Sequence, residues 1–251
     1  MDGRAHHRQH ARRGIATSTT SYPLYLESGP QKKTTLVHVL DLLGCVASGR
    51  TSDEAVAATP DAIRAYLRYL KRHGEKVDPS EKIEARIAEH NTEGLFSGQA
   101  ILPPDLKPLA PRDLSRYLRW LAWSREDLLA LVKKVDDRRL RAKPAQGRSL
   151  HDILLHVLGA DKGYVYALVG PLKTMGDPTN AADRGELDLR IALAEARPAA
   201  IVRLAALTPA ERKRVRRAGQ STYSAFRVIR RMLEHEWEHR REIAARLGSD
   251  A

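Results

Sequence analysis

Residues 221–247, STYSAFRVIRRMLEHEWEHRREIAARL, decide how the rest of the chain is arranged. Their apolar residues recur at the three- and four-residue spacing of a helix with one buried face. The stretch therefore predicts a long amphipathic helix that packs on a core. His235 and His239 are four residues apart, so their side chains project from the same side of that helix, one turn apart. Two imidazoles in this arrangement are typical of a metal site.

The run from His235 to His239 also satisfies H-E-x-x-H, the pattern by which zinc proteases take two ligands and a general base from one helix. Those enzymes take a third ligand from further along the chain. Only twelve residues follow His239, and none of them is His or Cys. The two carboxylates there are Glu242, which lies on the same helix, and Asp250, which is the second-last residue of the sequence. The protease interpretation is therefore poor, and a third ligand is expected from a helix upstream.

That third ligand is predicted to be His156. Of the ten histidines in the chain, three lie in an unpatterned basic tail and three in a compositionally different N-terminal region. Besides His235 and His239, two remain, His151 and His156, and both belong to a second amphipathic stretch. His156 flanks its apolar stripe, whereas His151 points roughly 140° away at about 100° per residue. One such histidine alone is more often an ordinary surface or core residue, but the coincidence of His156 with His235 and His239 favours a shared site.

The spacing of polar residues on these two helices resembles the DinB-like superfamily over about residues 111–247. The residues that carry this resemblance are Ser149-x6-His156-x4-Asp161 on the earlier helix and His235-Glu236-x2-His239-Arg240-x-Glu242-Ile243 on the later one. The resemblance implies a four-helix bundle that holds one divalent metal through His156, His235 and His239. Glu236 and Asp161 lie near the middle of their apolar stripes, and the resemblance implies that they orient a ligand or accept a proton.

Histidine ligation suits zinc, nickel, iron or copper, and zinc or nickel is expected here. Three neutral imidazoles leave a coordination position open for water or substrate. Since DinB-like relatives include thiol-dependent transferases, the resemblance implies a metal-dependent thiol transferase or hydrolase acting on a small, thiol-type substrate. The alternative is a non-catalytic sensor or antitoxin-like protein, in which the metal only stabilises the bundle.

The N-terminal half has the two-residue alternation of strands rather than a helical period. Residues 22–26 and 36–40 predict a hairpin, residues 44–49 a third strand, and residues 83–87 a strand that completes the sheet. Between these last two, a capping box at Thr51 predicts the start of a helix. The stretch resembles the HicB-like domain through Leu43-Gly44-Cys45-Val46-x-x-Gly49-x-Thr51-x-x-Glu54-Ala55. That family implies an antitoxin, but no DNA-binding segment follows, so an interaction or regulatory module with a protein partner is expected.

The fold class is therefore predicted to be α+β, with a HicB-like domain followed by an all-α DinB-like four-helix bundle. The predicted division is a disordered basic tail at 1–20, the first domain at 21–101, a proline-rich linker at 102–111 and the bundle at 112–251. In the bundle, Ser149 is expected to cap the second helix, and residues 171–183 are expected to form a polar loop.

The net charge of +12 resides mostly in residues 111–251, which carry 28 basic and 18 acidic side chains. No basic run interleaves with aromatic residues that could stack on bases, so nucleic acid is not an expected partner. No apolar run reaches the length of a membrane span. The single cysteine, Cys45, excludes an internal disulfide, is expected in the core and suits a cytoplasmic location. The oligomeric state stays open, with a homodimer as one candidate.

Overall fold

The computed structural model describes residues 19–29, 33–93, 98–219 and 221–249. Its strand-rich first half and mostly helical second half confirm the predicted α+β class. Within those ranges, no helix combines the length and the apolar character needed to cross a bilayer. The elements in chain order are β1 Thr19–Glu27, β2 Thr35–Val39, β3 Cys45–Gly49, α1 Ser52–Arg72, β4 Lys82–Asn91, α2 Pro111–Val132, α3 Asp137–Arg141, α4 Leu150–Val169, α5 Lys173–Asp183, α6 Leu189–Ala205, α7 Pro209–Lys213, β5 Arg216–Ala218, β6 Ser221–Tyr223 and α8 Ala225–Leu247.

The four N-terminal strands form one sheet in the order β3-β2-β1-β4. The predicted hairpin is confirmed, because β1 pairs antiparallel with β2, with Leu24 opposite Val39. The predicted last strand is also confirmed, and β4 lies parallel to β1 at the edge of the sheet. Helix α1 packs against the sheet. The helix is capped by Thr51, as expected, because the Thr51 side chain accepts a hydrogen bond of 3.1 Å from the Glu54 amide.

One glycine is required where the sheet meets α1. Gly44 has a φ of +104°, a backbone conformation that residues with a Cβ rarely adopt. A Cβ at this position would also collide with the hydroxyl of Tyr66, which donates a 2.7 Å hydrogen bond to the Leu43 carbonyl. The turn into β3 therefore depends on glycine for both backbone and packing reasons.

The second half confirms the predicted four-helix bundle. Helices α2 and α4 each pack against both α6 and α8, so the four helices close into a ring. Ser149 caps α4 as predicted, because its hydroxyl accepts a 3.0 Å hydrogen bond from the Asp152 amide while the Asp152 carboxylate accepts from the Ser149 amide. The apolar stripes of the four helices meet inside the ring, with Leu121, Leu158 and Ile229 fully buried.

Two local predictions were wrong. Residues 171–183 were expected to be a loop because they contain Gly, Pro and Asn, yet Lys173–Asp183 form helix α5. Met175, Thr179 and Ala182 are buried one turn apart, so packing outweighs the low helix propensity of the stretch. The last helix begins at Ala225 rather than at residue 221, because residues 221–223 pair with β5 and Ser224 caps the helix.

The proline-rich segment 102–111, predicted to be a linker, is packed between the two halves. Leu102, Asp105 and Leu109 are buried, and the apolar residues of both halves form one continuous cluster. The Asp105 carboxylate accepts two hydrogen bonds of 2.8 and 2.7 Å from the Arg230 guanidinium on α8. The two halves share an interface, and the division of the chain at residues 102–111 stays a proposal. The predicted tail is outside the described residues except for Thr19 and Thr20, which begin β1.

Buried charged side chains join the sheet to α8, and we call them the junction network. Its members are Glu27, His38, Asp105, Arg230 and Glu234, each at most 1% exposed. His38 Nδ1 lies 2.8 Å from a Glu234 oxygen, and its Nε2 lies 3.2 Å from a Glu27 oxygen. Burial by itself lowers the pKa of His38, and Arg230 acts in the same direction. The two carboxylates outweigh both effects, so the pKa of His38 is raised above its ordinary value.

We expect the stability contributed by His38 to decrease as the pH rises. Because its folded-state pKa lies above its unfolded value of about 6.5, the contribution is fully present below about pH 6.5 and is lost as the pH rises through the folded pKa. The measurement is the free energy of unfolding in urea of the wild type minus that of His38→Gln, between about pH 5.5 and about pH 9, with a chelator present. Any contribution of the other ionisable groups is common to both proteins and cancels in the difference. A difference that stays constant or grows with pH would show that His38 is not a cation in the fold.

Candidate metal centre

The three predicted histidines meet between α4 and α8. His156 comes from α4, and His235 and His239 come from successive turns of α8, as their spacing predicted. Nε2 of His235 lies 2.9 Å from Nε2 of His156, and one ring nitrogen from each of the three histidines lies within 4.8 Å of the others. The rings stand roughly edge to face, with centroids 4.6 to 5.2 Å apart.

The donor set has the dimensions of a site for a single ion. Tetrahedral coordination with bonds of about 2.0 to 2.1 Å places ligand nitrogens about 3.3 Å apart. This value lies between the closest separation of 2.9 Å and the upper limit of 4.8 Å. Small rotations of the imidazoles would therefore bring all three nitrogens to bonding distance of one zinc-like ion.

All three imidazoles are held in the neutral form, which is the form that binds metal. Burial lowers the pKa of His235 and His239, and the partial burial of the largely exposed His156 lowers its pKa in the same direction. His239 and Arg231 lower the pKa of His235 further, to about 2. The positive charge of Arg148, together with burial, lowers the pKa of His156. At neutral pH no proton has to leave these rings before they can donate a lone pair.

Glu242 fixes the orientation of His239. One Glu242 oxygen lies 2.9 Å from His239 Nδ1, so a proton on Nδ1 leaves Nε2 free to bind a metal. Arg246 holds the same carboxylate through a 2.5 Å hydrogen bond and also donates to the Arg148 carbonyl at 2.6 Å. The sequence offers Glu242 as a ligand candidate on the same helix and as part of the DinB-like pattern, whereas in the structure it contacts His239. Its position three residues after His239 was the available signal, because residues three apart are neighbours on a helix face.

The cluster is open on one side. His235 is buried at 8% exposure, His239 is half-buried and His156 is exposed. Nδ1 of His235 is buried and has no hydrogen-bond partner among the described residues. The cluster is therefore accessible to solvent from the side of His156, its exposed member on α4.

Asp161 and Glu236 lie in a separate group that we call the central charge cluster. It has one member from each helix of the ring, Arg125, Asp161, Arg197 and Glu236, and none is more than 3% exposed. Arg125 lies 2.7 Å from Asp161 and 2.8 Å from Glu236. Arg197 lies 2.6 Å from Asp161 and also pairs with Glu236. Two positive and two negative charges thus meet in the middle of the bundle.

These contacts give the two carboxylates partners other than the histidines. Within the described part of the chain, no hydrogen bond joins Asp161 or Glu236 to the three imidazoles. Burial by itself would raise the pKa of Glu236, but Arg125 and Arg197 lower it below its ordinary value. The predicted role in ligand orientation or proton acceptance is not supported by these contacts and stays a prediction.

Two other residues considered in the sequence lie outside the histidine cluster. His151 lines a separate cavity of about 220 Å³ between α3, α4 and the start of α6, and its Nδ1 lies 3.8 Å from Asp152. Cys45 is a fully buried core residue, as expected, and burial raises the pKa of its thiol. A protonated and inaccessible thiol is unsuited to nucleophilic attack.

Comparison with known proteins matches the two halves of the chain to two different families. The model described as the DinB superfamily matches residues 120–243. The model described as the HicB-like antitoxin of bacterial toxin-antitoxin systems matches residues 22–113, a range that includes the packed proline-rich segment. A UPF0150 protein of Thermoplasma acidophilum is 44% identical over 50 residues, which are 19% of this chain and 72% of that protein. No solved structure gives a significant match.

Proposed function

We propose that the chain is a divalent-metal-dependent enzyme with an N-terminal module for binding a protein partner. Its residues 120–243 match the DinB superfamily model, and its residues 22–113 match the HicB-like antitoxin model. One observation supports the proposal above others. Three neutral imidazoles from two helices converge within 4.8 Å beside an exposed face, in a bundle whose family suggests a metal site.

His156, His235 and His239 would hold the ion. The three donors are all neutral nitrogens, a set that suits zinc or nickel. A bound ion of this kind supplies Lewis-acid chemistry, which lowers the pKa of a bound water or thiol. Among the described residues, these are the only His, Cys, Asp or Glu side chains that approach one another closely enough for such a site. The fourth position is thereby left to water or substrate.

The surrounding side chains suggest a small anionic substrate, with a thiol as the reacting group. Glu242 keeps Nε2 of His239 directed away from its own carboxylate. Arg148 is exposed at the start of α4, and its charge lowers the pKa of His156 from outside the cluster. Positive charge beside an open site attracts anions such as a thiolate. The reaction proposed is thiol transfer, or hydrolysis when water occupies the open position. The contacts of Asp161 and Glu236 with Arg125 and Arg197 join the four helices, and the predicted role of the two carboxylates in orienting a ligand or accepting a proton stays a proposal.

The thiol part of the proposal can be tested with cobalt(II) as a coloured substitute for zinc. On addition of 2-mercaptoethanol, the cobalt-loaded chain is expected to gain a sulfur-to-metal charge-transfer band, because the open position admits a thiolate. His235→Ala, treated in the same way, should give no such protein-bound band. If cobalt binds the wild type but its spectrum does not change when the thiol is added, the proposed thiol substrate is wrong and the proposed metal site remains.

A second candidate function is favoured by the match of residues 22–113 to an antitoxin family. In this alternative the chain binds a small protein partner, such as a toxin, and the metal only stabilises the bundle. The two candidates differ in what metal removal does. An enzyme loses activity, whereas a partner-binding protein keeps a partner after treatment with a chelator as long as it remains folded.

A further inference from the structure

The strand β4 forms a long unpaired edge of the N-terminal sheet. In the order β3-β2-β1-β4 it pairs with β1 alone, so its outer backbone groups face no other strand of the described residues. It has 10 residues, Lys82–Asn91, and none of them is buried. Exposed edges pair readily with further strands, and many proteins blunt them with proline or with short strands. β4 has neither protection, and the bulge that its register shows at Ala88 leaves residues 82–87 as a regular edge.

The apolar side chains of β4 continue the core face of the sheet past its edge. In the register with β1, Ala85 lies beside Tyr22 and Ile87 beside Leu24. Tyr22 and Leu24 are core residues at 5% and 0% exposure, whereas Ile87 is 53% exposed. Ile83, on the same face, is half-buried. An apolar row that begins in the core thus ends in solvent, and a further strand would cover it.

The charged side chains on the other face of β4 can pair with those of a second copy of the strand. Glu84 and Arg86 flank Ala85, so antiparallel pairing of two copies about a twofold axis at Ala85 places Glu84 of one copy opposite Arg86 of the other. The same register places Ile83 opposite Ile87. If the axis moves by one residue, Arg86 lies opposite Arg86 of the second copy, or Glu84 opposite Glu84, and like charges meet. If the axis lies between two residues, apolar side chains lie opposite charged ones. The register centred on Ala85 is therefore favoured.

We propose that the free edge of β4 is the surface through which two copies of this chain pair. The contact is isologous and antiparallel, and it joins two four-stranded sheets into one continuous sheet. It pairs the free backbone groups of both edges, covers the apolar row and brings opposite charges together twice. The candidate metal centre is not involved, because α8 contacts the sheet through β3 and through His38 of β2, away from the free edge. The proposal is therefore independent of the proposed function.

The test is the dimer dissociation constant of the full chain, measured by sedimentation over a range of concentrations. The wild type is expected to dimerise as concentration rises. Glu84→Arg alone and Arg86→Glu alone should each raise the dissociation constant at least about 10-fold, because each places like charges opposite each other at two symmetric points. The double variant E84R/R86E restores opposite charges and should return the constant to near its wild-type value.

A matched control is Arg138→Glu, a charge reversal at an exposed position on α3 far from β4 in the sequence, which should leave the dimer unchanged. Circular dichroism should show that every variant is folded, because both substituted β4 side chains are exposed. A wild type that stays monomeric at all concentrations overturns the proposal. A dissociation constant that neither single reversal changes also overturns it, as does one that the double variant fails to return toward the wild-type value.

Discussion

Alanine at His156, His235 or His239 is expected to lower the affinity of the chain for zinc by about 100- to 1000-fold. A structural zinc site with four ligands binds with about 10 to 16 kcal/mol, so one ligand contributes about 2.5 to 4 kcal/mol. Each 1.4 kcal/mol is about a tenfold change in affinity. The measurement is competition for zinc against a chromophoric chelator at neutral pH. Because the three rings are already neutral, the loss reports a missing donor rather than a changed proton balance.

The structure predicts a graded series around these three positions. Glu242→Gln should cost about 10- to 100-fold, because the amide orients His239 less well than the carboxylate does. His151→Ala is the matched control on α4 and should leave the affinity unchanged, since His151 lines another cavity. All variants are made in a background from which the tail histidines are removed, with alanine at His6, His7 and His10. Equal losses at His151 and His156 would rule out the site.

Alanine at Arg125 is expected to destabilise the fold by about 3 to 5 kcal/mol. The substitution leaves Asp161 and Glu236 buried beside each other with Arg197 as the remaining cation of the central charge cluster. For a chain of this length the midpoint of thermal unfolding should fall by about 6 to 20 °C. The measurement is unfolding by urea and by heat, followed by circular dichroism in the presence of a chelator.

The control for this second prediction is an arginine with a carboxylate partner in solvent. Arg184 pairs with Glu186 at 2.5 Å, and both side chains are 57% exposed. Arg184→Ala should therefore leave the free energy of unfolding nearly unchanged. If Arg125→Ala fails to fold, Arg125→Lys retains the charge but loses the paired geometry, and should fall between the wild type and the alanine variant. Equal stability of the Arg125 and Arg184 variants would show that the buried cluster contributes nothing particular.

The histidine cluster could be predicted from the sequence because its geometry is mostly local. Two histidines four residues apart on a helix must share a side, and the apolar stripe around His156 fixes which side of α4 faces the bundle. The bundle itself could be predicted from the number of amphipathic helices, because four such helices have few ways to bury their apolar stripes. Elimination among the histidines and helical periodicity thus predicted that His156, His235 and His239 lie together, and the resemblance to the DinB-like superfamily added the metal.

The partners of the buried charges could not be predicted in this way. Asp161 and Glu236 lie on apolar stripes, so their burial was predictable, but Arg125 is 36 and 111 residues away from them. Nothing in a sequence pattern distinguishes this arginine from the many that face solvent. The sequence also indicated only one buried face for α8. That helix is buried on a second face by the sheet, which is why Arg230 and Glu234 lie in the core.

The most direct test of the three-histidine site is the X-ray absorption spectrum of zinc bound to the full chain without its tail histidines. The structure predicts three imidazole nitrogens at about 2.0 to 2.1 Å from the metal, with one further nitrogen or oxygen at the open position. The same spectrum recorded on His156→Ala should show one imidazole fewer. A wild-type spectrum with fewer than three imidazoles, or one that His156→Ala leaves unchanged, would contradict the site.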